Sequence, residues 1–335
     1  FILVLLAMLA IAGCGKSEEE KQTEETKVTE TGAATQEDVK AYMEDTDENT
    51  ILVDARLADA YQGWALGEAE KGGHLENAVN ISAQWLDCEF WSDERENKTL
   101  EESIQKELDA NQMTADKSYI IYDTNGKDAE AVKEYLAEKG YKNLSTFNAA
   151  EMINSGSAKL VSYENYNLYV PAEIVKNISD HVVNDAELVD QAADIVNDAP
   201  ITLLDVSWGD ETNDENTGSG YEDGHVPGTL HVNTDDYESP KVYVEEKDEA
   251  YRSEWRLNSD EELIELVESK GITKDSCVII VGGEPMATTR MAVILKYLGC
   301  DNVHVMSEGL VGWNAQEYEM EKGINLSLIH ISEPT

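Results

Sequence analysis

The chain has 335 residues and carries 69 Asp and Glu against 25 Lys and Arg, a formal net charge of −44. That balance leaves no basic surplus for phosphate backbones or anionic lipid headgroups, which excludes nucleic acid as a partner. With 41% hydrophobic and 28% charged residues the composition is globular, the length suits two domains, and four cysteines without a CxxC pair make neither a disulfide scaffold nor a zinc site.

Residues 1–14 open on an apolar run from Phe1 to Ala12, too short for a membrane span and of the length of a secretory h-region. Its end, Ile11-Ala12-Gly13-Cys14, resembles a bacterial lipobox, in which the Cys14 thiol would carry the lipid. No Met and no basic n-region precede it, so it reads as a signal truncated at its start. The alternative is a buried apolar segment with an incidental Cys. Residues 15–35 are acidic and Thr-rich without apolar periodicity, as expected of a solvated tether. A chain acylated at Cys14 would be lipid-anchored on the extracytoplasmic face of a bacterial membrane.

From residue 36 onward the sequence repeats itself. Ile51-Leu-Val-Asp54-Ala-Arg56 is matched 151 residues later by Thr202-Leu-Leu-Asp205-Val-Ser207, and Gly73-His74 by Gly224-His225 at the same offset. Ser118-Tyr-Ile-Ile-Tyr-Asp123 is matched by Cys277-Val-Ile-Ile-Val-Gly282 at an offset of 159, which Gly140 and Gly299 share. The second copy has therefore gained eight residues, placed in the acidic stretch from Tyr237 to Trp255. Such self-similarity marks a tandem duplication, with domains at 36–165 and 166–322. Short apolar runs bounded by Asp and Gly predict buried parallel strands, and the segments Ala129–Lys139 and Thr288–Tyr297 predict helices closed by glycine. The result is an α/β fold, each domain a mainly parallel sheet flanked by helices. Residues 323–335 break from the acidic style and read as a non-native tail; the alternative is a native C-terminal strand.

Asp54-Ala-Arg56 followed by Gly73-His74, the segment Tyr221-Glu-Asp-Gly-His225-Val-Pro-Gly-Thr229, and the closing Glu308-Gly-Leu-Val-Gly-Trp313 together resemble the rhodanese (sulfurtransferase) family. The resemblance covers residues 36 to 322 and implies two tandem rhodanese-like domains, as in thiosulfate or mercaptopyruvate sulfurtransferases. In that family a Cys opens the loop between a strand and a helix. Inward backbone N–H groups there depress its pKa, and the thiolate relays sulfane sulfur.

At that first loop position this chain has Asp123 in copy one and Gly282 in copy two, so no catalytic cysteine is intact. The preferred reading is a non-catalytic binding or interaction module on the cell envelope; the alternative is an active sulfurtransferase using another cysteine. Candidates to bind a small anion or a protein partner are Gly283, Met286, Ala287, Thr288 and Arg290, although Glu284 adds like charge. Cys88 is the thiol to test for reactivity. By the resemblance Cys277 and Cys300 sit at the sheet edge opposite the loop, either as two small buried thiols or as a disulfide. Asp54, Arg56, His74, Asp205 and His225 are expected in structural roles, with Ser207 unable to replace the Arg56 partner of Asp54. Trp85, Trp91, Trp208, Tyr221 and Trp255 either line an interdomain cleft or fill the core. The motifs imply no cofactor and no metal; the acidic stretch from Asp210 to Asp223 lacks EF-hand spacing.

Overall fold

A computed structural model describes residues 32–44, 47–86, 94–212, 217–244 and 251–325. Cys14, Cys88, Trp91 and most of the tether and tail lie outside these residues.

The first repeat opens with α1 (Gln36–Glu44), β1 (Thr50–Asp54), α2 (Ala58–Gln62), β2 (His74–Leu75) and β3 (Val79–Asn80). It continues through α3 (Glu94–Ala110), β4 (Ser118–Asp123), α4 (Asp128–Glu138), β5 (Asn143–Asn148), α5 (Ala150–Ser155) and β6 (Leu160–Val161). The second opens with β7 (Tyr169–Val170), α6 (Ala172–Asn184), α7 (Asp190–Val196), β8 (Ile201–Ser207) and β9 (Thr229–Asn233). An antiparallel ribbon of β10 (Glu238–Val244) and β11 (Tyr251–Leu257) follows. Then come α8 (Asp260–Ser269), β12 (Cys277–Val281), α9 (Pro285–Tyr297), β13 (Val303–Met306) and α10 (Gly309–Ala315).

Each repeat is a parallel sheet with helices on both faces, ordered β3-β1-β4-β5 in the first and β7-β13-β12-β8-β9 in the second. The central strands are apolar end to end because both their faces are covered; β12 is buried at all five positions. Val53, Ile121 and Leu136 lie on one side of the first sheet, Leu52, Ile120 and Met152 on the other. The second sheet divides in the same way, with Leu204, Ile280 and Met291 opposite Leu203, Ile279 and Trp313. The duplication extends to details: His74 pairs with Val161 across β2 and β6, and His225 bridges Glu321 in the second copy. Where the second sheet adds β7 beside β13, the described residues of the first have one bridge, from Ala33 to Thr146. The stretch where the offset changes forms the β10–β11 ribbon.

One helix boundary differs from expectation. α9 starts at Pro285, not Thr288, because proline at the first helical position has its φ preset and no N–H to leave unbonded. Only Gly282, Gly283 and Glu284 remain between β12 and α9, too few for a wide loop around a nucleophile.

The repeats share a core. Trp64, just past α2, is 1% exposed and packs in the cluster that holds Val170, Ile174 and Trp313 of the second repeat. Its Nε1–H donates to the Tyr169 carbonyl at 2.9 Å. Gln191 of α7 clamps the Ala65 backbone, accepting from its N–H at 2.9 Å and donating to its carbonyl at 2.8 Å.

Candidate functional site

The two strand-to-helix loops have settled differently. Asp123, at the end of β4, is fully buried; its Oδ2 accepts from the Ala129 N–H at 2.9 Å and so satisfies a donor in the first turn of α4. Its Oδ1 has no partner. At the equivalent point after β12, Gly282 is pressed against β8: a Cβ there would lie 2.5 Å from the Val206 carbonyl oxygen and 2.8 Å from Thr288 Cγ2. Any side chain at 282, a cysteine included, therefore requires the β8 backbone or α9 to move.

Of the candidates at this loop, Gly283 and Thr288 border a cavity, Ala287 is buried in the core beneath α9, and Met286 points outward at 81% exposure. The Thr288 hydroxyl donates to the Pro285 carbonyl at 3.1 Å. Arg290 is ion-paired with Glu238 of β10 at 2.7 Å.

Behind the loops the Asp54 and Asp205 pair shows what one substitution does. Asp54 accepts from Arg56 Nε at 3.0 Å and Nη2 at 2.6 Å, and from the Tyr122 hydroxyl at 2.7 Å. Burial works against charge on the Arg56 guanidinium, yet Asp54 raises its pKa overall; burial and Asp54 push the Tyr122 phenol well up. In the second copy Asp205 has Ser207 instead, whose hydroxyl donates at 3.1 Å. Without a cation, burial raises the Asp205 carboxyl to about 6 against the pull of that hydrogen bond. Burial also lowers neighbouring His231, whose Nε2 lies 3.2 Å from Ser207 Oγ, to about 4.

The two Gly-His motifs build the same unit from different spacings. His74 stacks on Tyr61 at 3.7 Å and donates from Nδ1 to the Tyr61 carbonyl at 2.7 Å. His225 stacks on Tyr221 at 3.8 Å and donates to the Tyr221 carbonyl at 2.8 Å. Asn325, in the segment read as a tail, donates to the Thr229 carbonyl at 3.2 Å and to Glu321 Oε2 at 2.8 Å.

Between the repeats, over the β12–α9 loop, lies a cavity of about 730 Å³. The first repeat contributes Asp59, Gln62, Gln84, Trp85 and Leu100; the second contributes Gly283, Thr288, Thr289, Met306, Ser307 and Glu308. Two hydrogen bonds cross it: the Ser307 hydroxyl donates to Asp59 Oδ2 at 2.9 Å, and Gln84 Nε2–H donates to Glu308 Oε1 at 2.6 Å. Burial, with Glu308 nearby adding to it, lifts the Asp59 carboxyl to about 6 against the Ser307 hydrogen bond. None of the described residues lining the cavity is Lys, Arg or His.

Residues 35–149 and 188–316 each match the rhodanese-like domain model. The chain belongs to the rhodanese-like domain family. It is 25% identical over 276 residues to thiosulfate sulfurtransferase YnjE of Escherichia coli (strain K12), a match covering 82% of this chain and 54% of YnjE. Among solved structures, an EanB variant in complex with ergothioneine superposes with a TM-score of 0.67 at 21% identity, covering 88% of this chain and 63% of that one. The anaerobic ergothioneine biosynthesis enzyme from Chlorobium limicola, in complex with trimethyl histidine, gives 0.64 at 21% identity over 88% and 65%. The rhodanese-like chain thus spans about half of its curated relative and less than two thirds of these structures.

The two described thiols of the rhodanese-like domains, Cys277 and Cys300, are set apart from the cavity. Cys277 begins β12 and Cys300 precedes β13, both buried and unpaired with each other. Burial, with Cys300 adding, raises the Cys277 thiol to about 12, and burial also raises Cys300. Neither thiol is a thiolate at neutral pH, and the thiolate is the reactive form. Of the aromatic residues singled out in the sequence, Trp85 lines the cavity, Tyr221 fills the core and Trp208 is half-exposed. Asp59, Gln84 and Ser307 carry no motif, and Glu308 was legible only as the start of the closing Gly-Trp segment.

Proposed function

We propose that this rhodanese-like protein is a ligand-binding module, not a sulfurtransferase, with the cavity between its repeats as the binding site. The observation that carries the reading is the packing of Gly282: the place where the family's nucleophile belongs is filled by the Val206 carbonyl. Burial, which raises the Cys277 and Cys300 thiols, both away from the cavity, argues against either as a substitute nucleophile. A cavity of about 730 Å³ at an interdomain seam, with an apolar wall and a few polar groups, has the size and make-up of small-molecule sites.

The proposal extends to location: a module tethered by acylated Cys14 to the outer face of a bacterial membrane. The lipobox-like Ile11-Ala12-Gly13-Cys14 and the acidic stretch after it support this. Among the described residues no helix is long and apolar enough to cross a membrane. Incorporation of a labelled fatty acid that Cys14→Ser abolishes is the expected result.

Sulfur transfer is tested directly. Purified protein should give no cyanide-dependent thiocyanate from thiosulfate above the buffer rate. Turnover lost in Cys88→Ser would overturn the binding-module reading and assign the nucleophile.

A further inference from the structure

The family's chemistry begins with an anionic sulfur donor, and the wall of this cavity is built against anions. Resting on the binding-module reading above, we propose that the cavity between the repeats binds a small organic cation, an alkylammonium or quaternary ammonium compound, held between the Asp59 and Glu308 carboxylates with its alkyl groups against Trp85.

Three observations converge. First, Asp59 and Glu308 reach the cavity from opposite repeats, and each is tied to the facing repeat by a neutral donor, Ser307 or Gln84. Asp59 is only 6% exposed, so its charge has lost most of its water, and no described residue gives it a counter-ion. A ligand ammonium supplies the missing charge, and it does so where the dielectric is low enough for the attraction to count. Second, no described lining residue is cationic, and Arg290, the basic side chain nearest in sequence to the loop, is held by Glu238 outside the lining set. A dianion such as thiosulfate would meet two carboxylates and, among the described lining residues, no counter-charge. Third, Trp85, Leu100, Val305, Met306 and Val311 give the wall an apolar stretch beside the neutral Gln62, Thr288 and Thr289. Alkyl substituents bury there, and an indole face attracts an ammonium within about 6 Å of its centre. The whole chain, at −44, also draws cations towards any opening in its surface.

Calorimetric titration of the protein with choline and with n-butylamine, against thiosulfate and butyrate at matched ionic strength, tests this. The cations should bind, with the two anions at least tenfold weaker. Asp59→Asn and Glu308→Gln should each weaken cation binding about tenfold, the double variant more, while Asp205→Asn, a buried carboxylate outside the cavity, should leave it unchanged. Because Asp59 and Glu308 also join the repeats, Thr289→Lys serves as a second variant. It keeps both carboxylates and adds a fixed ammonium to the wall, and it should also cost about tenfold or more. Absence of cation binding, or cation binding indifferent to Asp59→Asn, Glu308→Gln and Thr289→Lys alike, overturns the proposal. If thiosulfate binds instead without turnover, the binding-module reading stands and the cation assignment falls. If thiosulfate turns over, the binding-module reading itself falls.

Discussion

Asp54 and Asp205 occupy the same place in two copies of one fold, and their different neighbours give them different chemistry. Asp54 has a guanidinium and a phenol; Asp205 has a serine. A folded-state value raised from 3.8 to about 6 means that native Asp205 holds a proton which the unfolded chain has already released between those pH values. The fold therefore loses stability as pH rises through about 6, and Asp59 contributes in the same sense. His231 acts oppositely: its folded value near 4 keeps it neutral while the unfolded chain protonates below 6.5, so its contribution is lost as pH falls. Asp205→Asn should raise stability by on the order of 2–3 kcal/mol at pH 7.5 and by only about 1 kcal/mol at pH 4.5, read from thermal melts at both values. A gain as large at pH 4.5 as at pH 7.5 would mean that charge is not the cause. The loss of the Arg partner was legible in the sequence from the repeat's own alignment. The shift it causes was not, because it depends on how deeply the carboxylate is buried.

At the scale of elements, the decisive event is the early start of α9. Pro285 sets the helix three residues ahead of the apolar pattern, and what would be a cradle becomes helix. Gly282→Ala should destabilise the fold by about 1–3 kcal/mol, the cost of forcing a methyl group onto the Val206 carbonyl, measured by urea unfolding. Gly282→Cys should cost at least as much and give no thiosulfate turnover; gain of turnover would show that the loop relaxes readily. Strand positions, the parallel sheets and the helix-ending glycines could be read from sequence because hydrophobic runs and turn chemistry are local. The contact between Gly282 and Val206 could not, since it joins strands from distant parts of the chain. The same limit hid Asp59 and Ser307: they lie 248 residues apart and carry no signal until the repeats are docked.

Over the whole molecule, the two copies are domains by descent but share packing. Trp64 belongs to the first repeat by sequence and to the second repeat's core by contact, a role that the offset pattern gave no reason to expect. Trp64→Ala should cost about 3–5 kcal/mol, the usual toll for removing a buried large aromatic, and should loosen the seam that frames the cavity. Gln191→Ala, which strips both hydrogen bonds from the Ala65 backbone, should cost about 1–3 kcal/mol. The check is chemical denaturation of both variants. Cost confined to one of two separate transitions would mean that the repeats unfold independently.

That borrowed indole has a practical consequence for anyone who would work with half of this protein. A fragment beginning after β6 keeps a complete five-stranded sheet yet has a pit lined by Val170, Ile174 and Trp313 open to water. Such a surface invites self-association. The second repeat expressed alone should clump or demand chaperones, and restoring the whole first repeat, with β1 at the centre of its sheet, should cure it.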